Sequence, residues 1–404
     1  MKFYCGTTQT NPLGSEYIKS RDFMERYASG MAVGTYNFPC GALGNNSTIA
    51  SGEAYPIPTC SRGTNWKTIS RCDDVVLATK TDGTLWAWGR NDYGQLGINN
   101  TINRCTPVQV GTATDWVWAG SNQIVNSLGL KKDGSVWKWG YEISANVLTP
   151  VQQFSLGCGW KCIVDGQLTC FLMKDDYQWY STGYNCYGGL LGIGFDTATC
   201  LVRFSVSSPI PGNPSYDPIH SRFKQIASHD ASTSVLAIGG DGNLYWWGKN
   251  RCGWQLPIFN DTGIFCLEAC EPTQIDFMPN SWRKVSLGAI SGAGITQDGE
   301  LYTWGCNCYG HLGDGTTLST WCTQVLPDSC DWVDIHVSSS LTAFFMIATK
   351  KDGSLWAWGR NHNGQLGIGS TVACVSTPVQ VVSGGFKGWK HLTGRYGWSA
   401  IAIL

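Results

Sequence analysis

The chain has 404 residues, 43% hydrophobic and only 14% charged, with 50 glycines and 20 tryptophans, a balance that excludes a disordered chain and predicts a large buried core, many tight turns and an all-β fold. A formal net charge of −1, from 28 basic and 29 acidic residues with no long run of either sign, excludes the basic footprint of a nucleic-acid binder. No apolar stretch approaches the roughly 20 residues that cross a bilayer, which excludes membrane insertion by a helix.

At the N-terminus, Met1 to Gly6 runs into polar Thr7-Thr8-Gln9-Thr10 without an apolar leader core, so classical secretion is not expected. Residues 1–33 read as an N-terminal arm: Ser15 caps a short helix to about Ala28, Gly30 ends it, and Tyr17, Met24, Tyr27 and Ala28 share a face. That face needs cover, either from a partner or from the rest of the chain, and Tyr17, Met24 and Tyr27 are the arm's candidate partner-binding residues.

From Gly34 the sequence resembles the second half of a repeat whose first half is missing. Gly34-Thr35-Tyr36-Asn37, Gly41-Ala42-Leu43-Gly44-Asn45-Asn46 and Tyr55-Pro56-Ile57-Pro58 match Gly89-Arg90-Asn91, Gln95-Leu96-Gly97-Ile98-Asn99-Asn100 and Thr106-Pro107-Val108 of the first complete unit. That unit contains Thr81-Asp82-Gly83-Thr84-Leu85-Trp86-Ala87-Trp88-Gly89-Arg90-Asn91, which returns near the other end as Lys351-Asp352-Gly353-Ser354-Leu355-Trp356-Ala357-Trp358-Gly359-Arg360-Asn361. Both copies continue through Gly-Gln-Leu-Gly, at 94–97 and 364–367, into Thr-Pro-Val-Gln-Val at 106–110 and 377–381. Weaker copies stand at 133–140, 241–248 and 298–305, and one survives in outline from Asp175.

Self-similarity of this kind marks repeated supersecondary units. Each unit predicts a four-stranded antiparallel blade. The first strand opens on a ring, at Trp66, Trp116, Trp160, Phe223, Trp282 and Trp332; a second apolar strand follows, as in Val75-Val76-Leu77-Ala78. Asp-Gly then predicts a type I′ hairpin, and the rings of Leu-Trp-Ala-Trp are expected to fill the gap between neighbouring blades. Two insertions interrupt the rhythm, a proline-rich one from Phe204 to Ser221 carrying Tyr216, a further candidate partner-binding residue, and one from Asn260 to Asn280. The last unit begins at Gly388-Trp389-Lys390-His391-Leu392 and the chain ends before any Asp-Gly. Inner strands from 388–404 and outer strands from 34–58 are therefore expected to share one blade and close a ring.

No catalytic, cofactor or metal constellation emerges. Six histidines are scattered without two-ligand spacing, and Asp73-Asp74 reads as a solvated turn. The 18 cysteines are expected to be mostly reduced and buried; the closest groupings, Cys158/Cys162, Cys266/Cys270 and Cys306/Cys308, lack a second ligand pair.

The cluster of Asp-Gly, aromatic-x-Trp-Gly, Asn, Gly-Gln-Leu-Gly and Thr-Pro-Val-Gln-Val resembles the RCC1 repeat over residues 34–404. The resemblance implies a β-propeller, and six full units with one divided unit predict seven blades; without a catalytic constellation the chain is expected to bind protein partners, with no enzymatic activity and no cofactor. Among its function classes, the expectation is a virion protein (phage fibre, tail or capsid-associated) binding other virion proteins or a host-surface receptor. The alternatives are a cytoplasmic regulator such as a guanine-nucleotide exchange factor, and a secreted inhibitor.

Overall fold

The computed structural model describes residues 65–72, 74–121, 126–141, 145–153, 156–165, 169–174, 178–183, 223–228, 234–249, 268–275, 278–340, 343–362 and 364–381, with short segments at 31–33, 35–36, 52–53, 57–58, 202–203, 389, 392–393 and 400–402. The fold is an all-β propeller. Its first blade runs Trp66–Cys72, Val75–Lys80, Leu85–Gly89 and Arg104–Gln109, each strand antiparallel to the next. Five more four-stranded blades repeat this order, opening at Trp116, Trp160, Phe223, Trp282 and Trp332 as expected.

The second strands are the least exposed: every residue of Val75–Lys80, Ser234–Gly239 and Ser291–Thr296 is buried, because these strands have a partner on both edges and a neighbouring blade on each face. The rings gather around the opening one. Trp66 meets Trp86 edge-on at 6.2 Å and Trp88 at 5.9 Å, and the same trio recurs around Trp116, Phe223, Trp282 and Trp332. Indole groups of the third strands also reach across blades: Trp139 donates its NH to the Gln95 carbonyl (2.9 Å), Trp358 to that of His311 (2.9 Å) and Trp179 to that of Phe223 (2.7 Å).

The hairpin between second and third strands departs from the expected type I′. Gly83 NH reaches the Lys80 carbonyl and Gly83 has φ +82°, but Asp82 does not take positive φ. This is the three-residue loop in which a glycine follows an ordinary turn. Asp82 is freed for another task. Its carboxylate accepts from the Thr84 NH (2.9 Å) and hydroxyl (2.7 Å), and that hydroxyl accepts from the Trp86 indole (2.9 Å). These bonds hold the Asp82 carboxyl below its ordinary value. Asp133–Ser135–Trp137 and Asp352–Ser354–Trp356 repeat the relay. Ser354→Ala should therefore cost about 1–2 kcal/mol in urea unfolding, because it leaves the Trp356 indole without its acceptor.

Two further corrections concern boundaries. Part of the expected 260–280 insertion is the fourth strand of its blade, Glu268–Gln274, where Gln274 faces Tyr245 as Gln109 faces Trp86. The termini share a sheet ordered Leu392–Thr393, Ala400–Ala402, Met31–Val33, Ile57–Pro58, with Met31 opposite Ala402 and Val33 opposite Ala400. The N-terminal pairing thus begins at Met31, upstream of the boundary at 34. Contacts pass from each blade to the next, from the sixth blade's Trp332–Ser340 to Leu392–Thr393, and from there to Trp66–Cys72 of the first.

The nine cysteines whose side chains are described are free thiols, and none is fully buried; Cys158, Cys308 and Cys330 are exposed. They differ from expectation because seven of them lie in turns or on fourth strands; Cys162 is on a first strand and Cys170 on a second.

Candidate protein-binding rim

Third and fourth strands are joined by a loop whose shape depends on one buried asparagine. In the first blade the Asn91 carboxamide donates to the carbonyls of Asn100 (2.7 Å) and Ile102 (3.3 Å) and accepts from Leu96 NH (2.9 Å). Asn307 does the same to Thr316 (3.1 Å), Leu318 (3.1 Å) and Leu312 NH (2.9 Å), and Asn361 to Ser370 (2.7 Å) and Leu366 NH (3.0 Å). All three are fully buried. An amide with two donors and a carbonyl is the residue that can tie both limbs of such a loop at once. The glycines permit close packing: a side chain at Gly97, φ +71°, would press on the Trp139 indole of the next blade.

Anchored in this way, the loop turns one aliphatic side chain out. Ile102 is 61% exposed, Leu318 73% and Val372 60%. They occupy one register, the sixth residue after the leucine in Leu96-Gly97, Leu312-Gly313 and Leu366-Gly367, each preceded by threonine. Ile49 holds the same place after Leu43-Gly44 in the sequence, outside the described residues. Blades five and six, the terminal sheet and blade one are successive neighbours, so the register runs along consecutive blades. Sequence reasoning missed this set, although the signal was present as a repeated Leu-Gly-x-x-x-Thr-aliphatic spacing.

The expected partner-binding residues Tyr17, Met24, Tyr27 and Tyr216, like the insertion at 204–221, lie outside the described residues. Of the Asp73-Asp74 pair, Asp74 is described; it is buried, and its carbonyl accepts from Arg90 NH (2.8 Å). Among the described residues no group of three His, Cys, Asp or Glu side chains could hold a metal ion. No helix among them is long and apolar enough to cross a membrane.

The sequence profile of the regulator of chromosome condensation (RCC1) repeat matches residues 82–121, 298–345 and 352–393. The first and third stretches begin on the aspartate of an Asp-Gly hairpin, as does the second at Asp298. The chain carries RCC1 repeats on a β-propeller. It is 27% identical to the ultraviolet-B receptor UVR8 of Arabidopsis thaliana over 74% of this chain and 66% of the receptor. It is 26% identical to the secretion-regulating guanine nucleotide exchange factor of Bos taurus over 72% of this chain and 62% of that protein. The chain therefore spans just under two thirds of these two relatives. Among solved structures, human WBSCR16 superposes with a TM-score of 0.73 at 18% identity, covering 93% of this chain and 98% of that one. Prp20p of Saccharomyces cerevisiae, whose structure was described together with its binding to Gsp1p and histones, gives 0.70 at 16% identity, covering 100% and 96%.

Proposed function

We propose that this RCC1-repeat propeller is a closed ring of seven blades, the terminal sheet being the seventh, and that it works without catalysis as a cellular regulator that binds a protein partner through the rim of third-to-fourth strand loops. The observation that carries the reading is the repeated exposed aliphatic at Ile102, Leu318 and Val372, held out on buried Asn91, Asn307 and Asn361. Single exposed apolar residues are ordinary, but the same exposure in one register on neighbouring blades is a patterned surface. Fixed loops also lose little ordering entropy on association.

The relatives named above support a cellular regulator over the virion role expected from the sequence: one is a nucleotide exchange factor, and the structure of Prp20p was described with its binding to Gsp1p and histones. The same yeast protein has been crystallised with Kap60. No exchange residue is carried over to this chain.

The test places a photo-cross-linking side chain at Ile102 or Val372, and at Thr81 on the opposite face as a control. The rim positions should capture one defined partner, Thr81 should not, and Leu318→Asp should weaken that complex about tenfold with an unchanged thermal midpoint. Capture from Thr81 alone, or full affinity in Leu318→Asp, would overturn the assignment of the face.

A further inference from the structure

In two blades the residues that flank the loop-anchoring asparagine point toward one another. In blade one they are Arg90 and Asp92, whose side chains form an ion pair across Asn91 at 2.6 Å. In blade five the same positions hold Cys306 and Cys308, and their sulfurs stand 3.0 Å apart across Asn307. Cys308 is exposed and Cys306 half-buried, so a small reagent can reach the first and the second can reach the product.

We propose that Cys306 and Cys308 form a reversible dithiol–disulfide pair that reacts with small-molecule disulfides, and that its closure loosens the loop at 312–318. The Cys308 thiolate attacks one sulfur of oxidised glutathione; a Cys308–glutathione bond forms and one glutathione thiolate leaves. The Cys306 thiolate then attacks the Cys308 sulfur, the Cys306–Cys308 bond forms and the second glutathione thiolate leaves. Two cysteines are oxidised, one disulfide is reduced to two thiols, and the cysteine protons pass to solvent or to the departing thiolates. A hydrogen bond with Cys306, then burial, hold the Cys308 thiol above its ordinary value, so exchange should quicken as pH rises.

Reversibility follows from ring size. A disulfide between residues two apart is strained, and strained or exposed disulfides are the easily reduced ones. The coupling follows from Asn307. The sulfurs must approach from 3.0 Å to about 2.05 Å, and the backbone that adjusts carries the carboxamide bonded to Leu312 NH and to the Thr316 and Leu318 carbonyls. The inference does not depend on what the rim binds.

The experiment equilibrates the full chain in glutathione buffers of rising oxidation and maps the chymotryptic peptide between Trp304 and Tyr309 by mass. The wild type should lose two hydrogens there while exposed Cys158 and Cys330 take up glutathione, and each single variant, Cys306→Ser or Cys308→Ser, should carry a glutathione adduct instead. Hydrogen exchange at Leu312 should speed roughly tenfold in the oxidised wild type, about the net worth of one hydrogen bond, and stay unchanged in both variants. A wild-type peptide that keeps two thiols, or takes glutathione on its sulfurs while Cys158 does, overturns the dithiol. A closed disulfide with unaltered exchange at Leu312 overturns the coupling.

Discussion

Deleting residues 399–404 should lower the thermal midpoint by roughly 10 °C and turn a monomer into a concentration-dependent aggregate. Ala400–Ala402 lies between Met31–Val33 on one side and Leu392–Thr393 on the other, with five paired positions in all. At about 1 kcal/mol for each backbone pairing lost, the change approaches 5 kcal/mol. At about 2 °C per kcal/mol, the low end for domains of this kind, that gives the stated shift. Two unpaired edges then remain, and an unpaired edge is a template for another chain. The local core survives the deletion, since Trp389 packs with Phe345, Leu355, Leu366 and Val381 of the sixth blade, so the loss should fall on ring closure more than on any one blade. Light scattering and a melting curve on the truncated chain check this, and a truncated monomer with an unaltered midpoint would refute it.

Much of this closure was legible in the sequence because it rests on repetition. The six opening rings, from Trp66 to Trp332, and the divided last unit are visible as periodic side chains, and periodic side chains are what a ladder of strands requires. What escaped depends on backbone geometry. Asp-Gly fits two hairpin classes, and the hydrogen bonds of Asp82 to Thr84 select the one with ordinary backbone at Asp82. Met31-Ala32-Val33 resembles the end of an arm until its pairing with Ala400–Ala402 is seen. The rim was hidden differently. Its spacing is plain in the sequence, but Ile102 or Leu318 could as well be core residues, and only the bonds of Asn91 and Asn307 to their carbonyls show that the side chains face out.

The second large effect is expected from one buried histidine. Gly310-His311-Leu312-Gly313 replaces Gly-Gln-Leu-Gly in blade five, so His311 occupies the place of the buried Gln95 and Gln365. It is 1% exposed, stacks on Phe344 at 5.5 Å, and neither ring nitrogen finds a hydrogen-bond partner among the described residues. Phe344 stacks in turn on Tyr309, over which the Arg360 guanidinium lies, so the charge at the far side of this stack is positive. Burial pushes the His311 imidazole down from 6.5 to about 4. The sign follows directly: the unfolded chain takes up a proton near 6.5 and the folded chain only near 4, so stability is whole above 6.5 and falls as the pH drops toward 4. A fall from 6.5 to about 4 is worth roughly 3 kcal/mol, lost across that window. His311→Gln, which installs the residue found at the equivalent sites, should remove this loss. Its urea stability, followed from pH 7 to pH 4, should decline by about 3 kcal/mol less than that of the wild type. Parallel pH profiles for the two proteins would show that His311 is already protonated in the fold or is partnered there, and the argument from burial would fail.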